Sequence, residues 1–171
     1  MNIEKPKNLD PSIYYKSLID NSPDTDLFSA LENSLIQSIE TALEFNSVKE
    51  SFAYAPDKWT VKQLFQHLVD CERILSYRVL CIARKEKGQL LGFDEDEYVK
   101  FDNSENRSLT EIMDDFKAAR NSTISLLKSI PLEAFDYVGN SNGIQASART
   151  ISWFIAAHTT HHVGVLKERY V

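Results

Sequence analysis

What most constrains this chain is how rarely it is interrupted. It has five prolines (Pro6, Pro11, Pro23, Pro56 and Pro131) and five glycines, and from Asp57 to Lys87 neither residue occurs. Proline removes a backbone donor and clashes with the preceding turn, so its confinement to a few positions marks helix boundaries and predicts long helices between them. After Pro23, with Asp24 or Thr25 as cap, Leu27, Leu31, Leu35, Ile39 and Leu43 recur at spacing four, an amphipathic helix ending near Phe45. A capping box, Thr60-x-x-Gln63, opens a second helix whose apolar seam of Val61, Leu64, Leu68, Cys71, Ile74 and Leu75 continues towards Lys87. Another box, Ser108-x-x-Glu111, opens the third, with Ile112, Phe116, Ala119, Thr123 and Leu126 inward and a stop before Pro131. The fourth begins near Ser147 or Thr150 and runs towards Tyr170, with Ile151, Phe154, Ile155, Val165 and Leu166 on one side.

Each apolar stripe must be covered by another, so the economical packing is an all-α four-helix bundle. No strand run competes with it. The first and third connectors are compact, whereas Gly88 to Arg107 is mostly polar and long enough to travel the length of a bundle, which makes the second and third helices parallel. Residues 1–22 read as a leader with one short helix around Ser12 to Leu18, and 23–171 as a single domain.

At 171 residues, with 43% apolar and 26% charged, the chain has the material for one globular core. Its 19 Lys+Arg against 25 Asp+Glu give a net charge of -6, the wrong sign for holding phosphate backbones. Nucleic acid is therefore not the expected partner. No stretch reaches signal-peptide character or the roughly 18 uncharged apolar residues of a membrane span, so no membrane association is expected. Cys71 and Cys81 lie ten residues apart on one helix, a rise of about 15 Å against a disulfide limit of roughly 7 Å between Cα atoms. Free thiols suit a reducing compartment, and the cytoplasm is the expected location.

The four histidines all fall on helices, His67 on the second and His158, His161 and His162 on the fourth. With His158 set at zero and about 100° per residue, Ile151 falls near +20°, Phe154 near -40°, His162 near +40° and Val165 near -20°. His158 and His162 thus sit inside the apolar stripe, stacked one turn apart, while His161 lies at its edge. His67, between Leu64 and Cys71, also points inward. Unpaired imidazoles are costly to bury, and a divalent cation satisfies one nitrogen of each. Three nitrogens with open positions suit catalysis by an ion-bound water, and imidazole ligands suit zinc, nickel, cobalt, copper or iron more than magnesium or calcium. A buried, hydrogen-bonded core role for the same histidines is the bland alternative.

The segments Lys58 to His67 (KWTVKQLFQH), Asp70 to Arg78 (D-x-E-R-x-x-x-Y-R) and His158 to Tyr170 (H-x-x-H-H-x-x-V-L-x-E-R-Y), with Gly92 to Val99 between them, together resemble the DinB-like superfamily. The resemblance implies a bundle of up-down-down-up topology, often a homodimer, with a divalent ion held by His67, His158 and His162. Zinc or nickel stands first, with iron, cobalt, manganese and copper also in range. It further implies a metal-dependent hydrolase or a transferase for low-molecular-weight thiols, acting on a small molecule. The chain departs from the pattern at Thr159, where an acidic residue is expected. Asp70, one turn after His67, is then the nearest acidic candidate for a catalytic role, or else a surface group. Cys71 reads as a packed core thiol or a soft fourth ligand. Glu72, Arg73, Arg78 and Arg84 read as ion-pairing residues, Trp59 and Trp153 as bundle anchors with Trp153 also placed to wall a pocket, and Gly164 as the mark of a close helix contact. Three functions remain open at this stage: a metal-dependent enzyme, a metal or small-molecule binder without turnover, and a structural helical dimer. The chain shows no P-loop, Gly-rich dinucleotide turn, serine elbow or paired zinc-ribbon cysteines.

Overall fold

The computed structural model describes residues 2–7, 9, 14–45 and 49–170. Its frame is four long helices, α2 (Leu27–Leu43), α3 (Val61–Ala83), α5 (Leu109–Lys128) and α6 (Ala148–Arg169), with two short ones, α1 (Tyr14–Asn21) and α4 (Glu95–Phe101). Both capping boxes form. Thr60 Oγ1 accepts from the Gln63 N–H while Gln63 Oε1 accepts from the Thr60 N–H at 2.8 Å, and Ser108 and Glu111 repeat the exchange. Ser147 caps α6 by accepting from the Thr150 N–H. The first long helix starts later than expected, because Asp26 rather than Asp24 or Thr25 is its cap. Asp26 also accepts from the Ile3 N–H, so the cap ties the N-terminal segment to the bundle. Helix α3 ends at Ala83, short of Lys87, where Lys85 enters the left-handed region at φ 60°.

The core divides into two ends, and their membership gives the topology. One end joins Ala42 and Phe45 from the finish of α2, Val61 to Val69 from the start of α3, Leu109 to Phe116 from the start of α5, and Leu166 and Tyr170 from the finish of α6. The other joins Leu27 to Leu31 from the start of α2, Leu75 to Ala83 from the finish of α3, Leu127 and Ile130 from the end of α5, and Ala148 to Ala157 from the start of α6. Helices α2 and α6 therefore run one way and α3 and α5 the other, which is the up-down-down-up order. Lys62, on the first turn of α3, reaches the carbonyls of Glu105 and Arg107 just before α5, fixing those two starts side by side.

Residues before Pro23 share this core. Ile3 and Ile19 are fully buried in it, and Trp153 donates its indole N–H to the Glu4 carbonyl at 2.9 Å. Trp153 is thus the expected anchor. The short helix near the N-terminus spans Tyr14–Asn21, and Ser12, its expected start, lies outside the described residues.

Two elements were not expected from the sequence. The connector into α6 carries a hairpin, β1 (Val138–Ser141) with β2 (Ile144–Ser147), in register Ser141 opposite Ile144. Asn142 and Gly143 both take positive φ, 55° and 82°, the backbone that a two-residue hairpin turn with native twist demands. Within the long connector, Asp94 caps α4 and three acidic residues, Glu95, Asp96 and Glu97, occupy its first turn. The hairpin tip locks this connector in place: Leu90 N–H donates to the Asn140 carbonyl and Asn142 N–H to the Leu90 carbonyl. Gly92 permits the approach, since a Cβ there would fall 2.2 Å from Asn142 Oδ1.

Candidate metal centre

Helices α3 and α6 run in opposite directions, and the second turn of α3 meets the middle turns of α6. There the three inward histidines converge. Nε2 of His158 lies 3.4 Å from Nε2 of His67 and 3.0 Å from Nε2 of His162. The ring centroids form a near-equilateral triangle of 5.1, 5.0 and 4.4 Å. His161, expected at the stripe edge, is exposed and stacks outside the triangle, 5.2 Å from His162.

Cys71 joins from one turn further along α3, its Sγ 3.5 Å from His67 Nε2, and one donor atom each from His67, Cys71 and His158 falls within a mutual 4.8 Å. His67 and His158 are buried, and His162 is half-buried. Burial pushes the His67 imidazole down to about 4 and that of His162 to about 3, and drives His158 well below the ordinary imidazole value, with the neighbouring histidines adding to the shift at His158 and His162. All three rings are therefore neutral near pH 7 and carry a lone pair each. Nδ1 of His162 is buried and has no partner among the described residues. Three neutral imidazole nitrogens facing one another, with a thiol beside them, form a donor set that fits a borderline cation such as zinc or nickel. Burial holds the Cys71 thiol protonated, far above the ordinary thiol value, so it becomes an anion only against a strong positive charge.

The triangle opens into a pocket of about 320 Å³ between α3, α6 and the connector. Its walls are aromatic. Trp59 packs on His67 at 4.7 Å between centroids and is held by its indole N–H donating to Asp96, while Phe154 lies 5.2 Å from His158 and Tyr15 stacks on Phe154 at 4.1 Å. Trp59 thus walls the pocket, a place the sequence reading gave to Trp153. Two charged residues also line it, Arg78 and Glu95, and neither was singled out for the site. Desolvation raises the Glu95 carboxyl above its ordinary value, helped by Asp94 and Asp96.

Asp70 is not brought to the imidazoles. Its carboxylate accepts from Gln66 Nε2 at 3.0 Å and faces Arg73, and it lines a separate groove beside Tyr98 and Phe101. The -60° offset from His67 is enough to turn a short side chain off the shared face. Glu72 does ion-pair, but inside the bundle, with Arg120, while Arg78 has no carboxylate partner among the described residues. Gly164 marks no close approach among the described residues, since a Cβ there would meet nothing within 4 Å. Thr159 takes the place of the expected acidic residue. Its hydroxyl accepts from Arg120 Nη2 and donates to the Ile155 carbonyl, which fastens the His158 turn of α6 to α5.

Comparison with known proteins agrees with this architecture. YfiT from Bacillus subtilis, described as a probable metal-dependent hydrolase with an unusual four-helix bundle topology, superposes with a TM-score of 0.75 at 15% identity, over 96% of this chain and 90% of that one. No curated protein gave a significant sequence match. The model of the DinB superfamily matches residues 19–166, and the chain belongs to that superfamily.

Proposed function

We propose that the protein is a divalent-metal-dependent enzyme, a hydrolase or a low-molecular-weight-thiol transferase, that acts on a small molecule in the pocket beside His67, His158 and His162. The observation that carries this is the meeting of three neutral Nε2 atoms at the floor of an aromatic-walled pocket. The description of YfiT as a probable metal-dependent hydrolase supports it. When bound, a zinc or nickel ion would supply Lewis acidity and lower the pKa of a water or thiol. The chain's own residues do the rest. Trp59 and Phe154 fix the ring planes and keep bulk water from the imidazoles, and Glu95, whose desolvated carboxyl titrates nearer neutrality than an ordinary one, is placed at the pocket to take or give a proton. The reading extends to a homodimer in the cytoplasm, the latter supported by the unpaired Cys71 and Cys81.

One observation favours a second reading. Cys71 stands close enough to close the coordination sphere as a fourth ligand, and closed sites of this donor type hold metal without turnover. The two readings separate in one experiment, metal analysis of the purified protein together with a panel of esters, amides and thiol-transfer substrates, before and after chelation. The enzyme reading expects chelator-sensitive turnover that is lost with the metal in His158→Ala. Metal without turnover favours the binder, and a protein indifferent to added zinc or nickel defeats both.

A further inference from the structure

Arg78 shares the face of α3 that carries His67 and Cys71, eleven residues beyond His67, a helical rise of about 16 Å. The residue is 5% exposed, yet among the described residues only one of its five N–H donors is engaged, through Nη2 to the Leu91 carbonyl at 2.8 Å. No carboxylate among the described residues lies within ion-pairing distance of it, and its unbonded nitrogens are not sealed in the core, so they open onto a pocket where water or a ligand must complete their shell. The pocket that contains the histidine triangle also reaches Arg78. The contrast within the same bundle is direct, since Arg120 is equally buried and all five of its N–H groups are taken by Glu72, Leu31, Ser34 and Thr159.

We infer that Arg78 holds a carboxylate of the substrate, fixing the far end of an elongated, partly apolar acid whose reactive group lies at the histidines. This rests on the pocket being the substrate site proposed above. The planar guanidinium fork matches a carboxylate in geometry and charge. Tyr15, Phe93 and Phe154 line the same pocket and supply an apolar surface for the body of the molecule. Glu95, the other charged residue lining the pocket, favours a single negative charge on the ligand over the double charge of a phosphate ester.

The test uses 5-phenylpentanoate and its neutral counterpart 5-phenylpentanamide, titrated into chelator-stripped protein and followed by calorimetry. The carboxylate binds roughly tenfold tighter than the amide, about what one charge-assisted hydrogen bond contributes. Arg78→Met removes that preference, and Arg78→Lys keeps part of it, with melting curves confirming that both variants are folded. Equal binding of the two probes to the wild type, no binding of either at millimolar concentration, or a preference that survives in folded Arg78→Met overturns the inference. Because the titration is done without metal, a failed metal reading leaves this result intact. A carboxylate preference that appears only after zinc is restored assigns the anion to the ion instead of to Arg78, and likewise overturns it.

Discussion

Two polar regions lie side by side in the interior of this bundle, and they are built on opposite terms. Around Arg120, every donor finds an acceptor: Glu72 from α3, Leu31 and Ser34 from α2, and Thr159 from α6 close on a guanidinium that α5 supplies, so all four long helices meet there. Around His158, one residue before Thr159, the imidazole nitrogens contact one another and Cys71 instead of a carboxylate or carbonyl, and among the described residues His162 Nδ1 has no partner and Arg78 donates only to the Leu91 carbonyl. The first region holds the helices in place. The second opens into the pocket and offers a donor set that fits a cation.

That division can be broken from either side. The largest effect belongs to the closed region: Arg120→Met or Glu72→Gln strands a buried partner and costs about 3–5 kcal/mol in urea unfolding. Replacing both with apolar residues together recovers much of that loss if the pair is purely structural. In the open region, a saturating cation stabilises the wild type by about 2.7 kcal/mol at a hundredfold excess over Kd and raises its melting temperature, whereas His158→Ala gains nothing. A smaller effect comes from pH. In metal-free protein the unfolded chain binds protons near the ordinary imidazole value of about 6.5 while folded His67 resists them down to about 4, so stability is complete above the first value and falls as pH drops through this window. His162 extends the loss towards about 3. A melting temperature unchanged between pH 7 and pH 4 would mean that the rings are not buried in neutral form. The smallest effect is at Asp70: Asp70→Asn alters stability by no more than about 0.5 kcal/mol and leaves cation binding as it was.

The sequence was most legible where local chemistry decides the structure. The capping boxes at Thr60 and Ser108 place two helix starts to the residue, and the periodicity that puts His67, His158 and His162 on apolar stripes brings their rings together. Less legible were features set by tertiary packing. The hairpin had a local signal, Asn142-Gly143 between two short segments, but each strand is only four residues long, at the lower limit of the length over which alternation marks a strand. Helix α4 had its signal in Asp94 and the acidic turn that follows, masked by the polarity of the connector. Arg120 was not singled out although it lies four residues after Phe116 on the inward stripe, and nothing in its neighbourhood along the chain announces a partner 48 residues away. Glu95 belongs to the connector and joins the pocket through a fold that the Leu90 pairing with the hairpin tip holds, whereas Arg78 already shares the His67 face of α3 and reads from sequence as an ion-pairing residue. Asp70 shows the converse: it lies one turn after His67 in sequence, yet its short side chain leaves the helix on another face, towards Gln66 and Arg73, in keeping with its alternative reading as a surface group.

The central claim is that three imidazoles from α3 and α6 grip one cation. Its most direct test is a calorimetric titration of chelator-stripped protein with zinc, run in parallel on the wild type, His158→Ala and His162→Ala. One ion per chain is expected in the wild type, bound more weakly as pH falls, with loss of that site in both variants. Silent wild-type protein, or undiminished binding by His158→Ala, would contradict it.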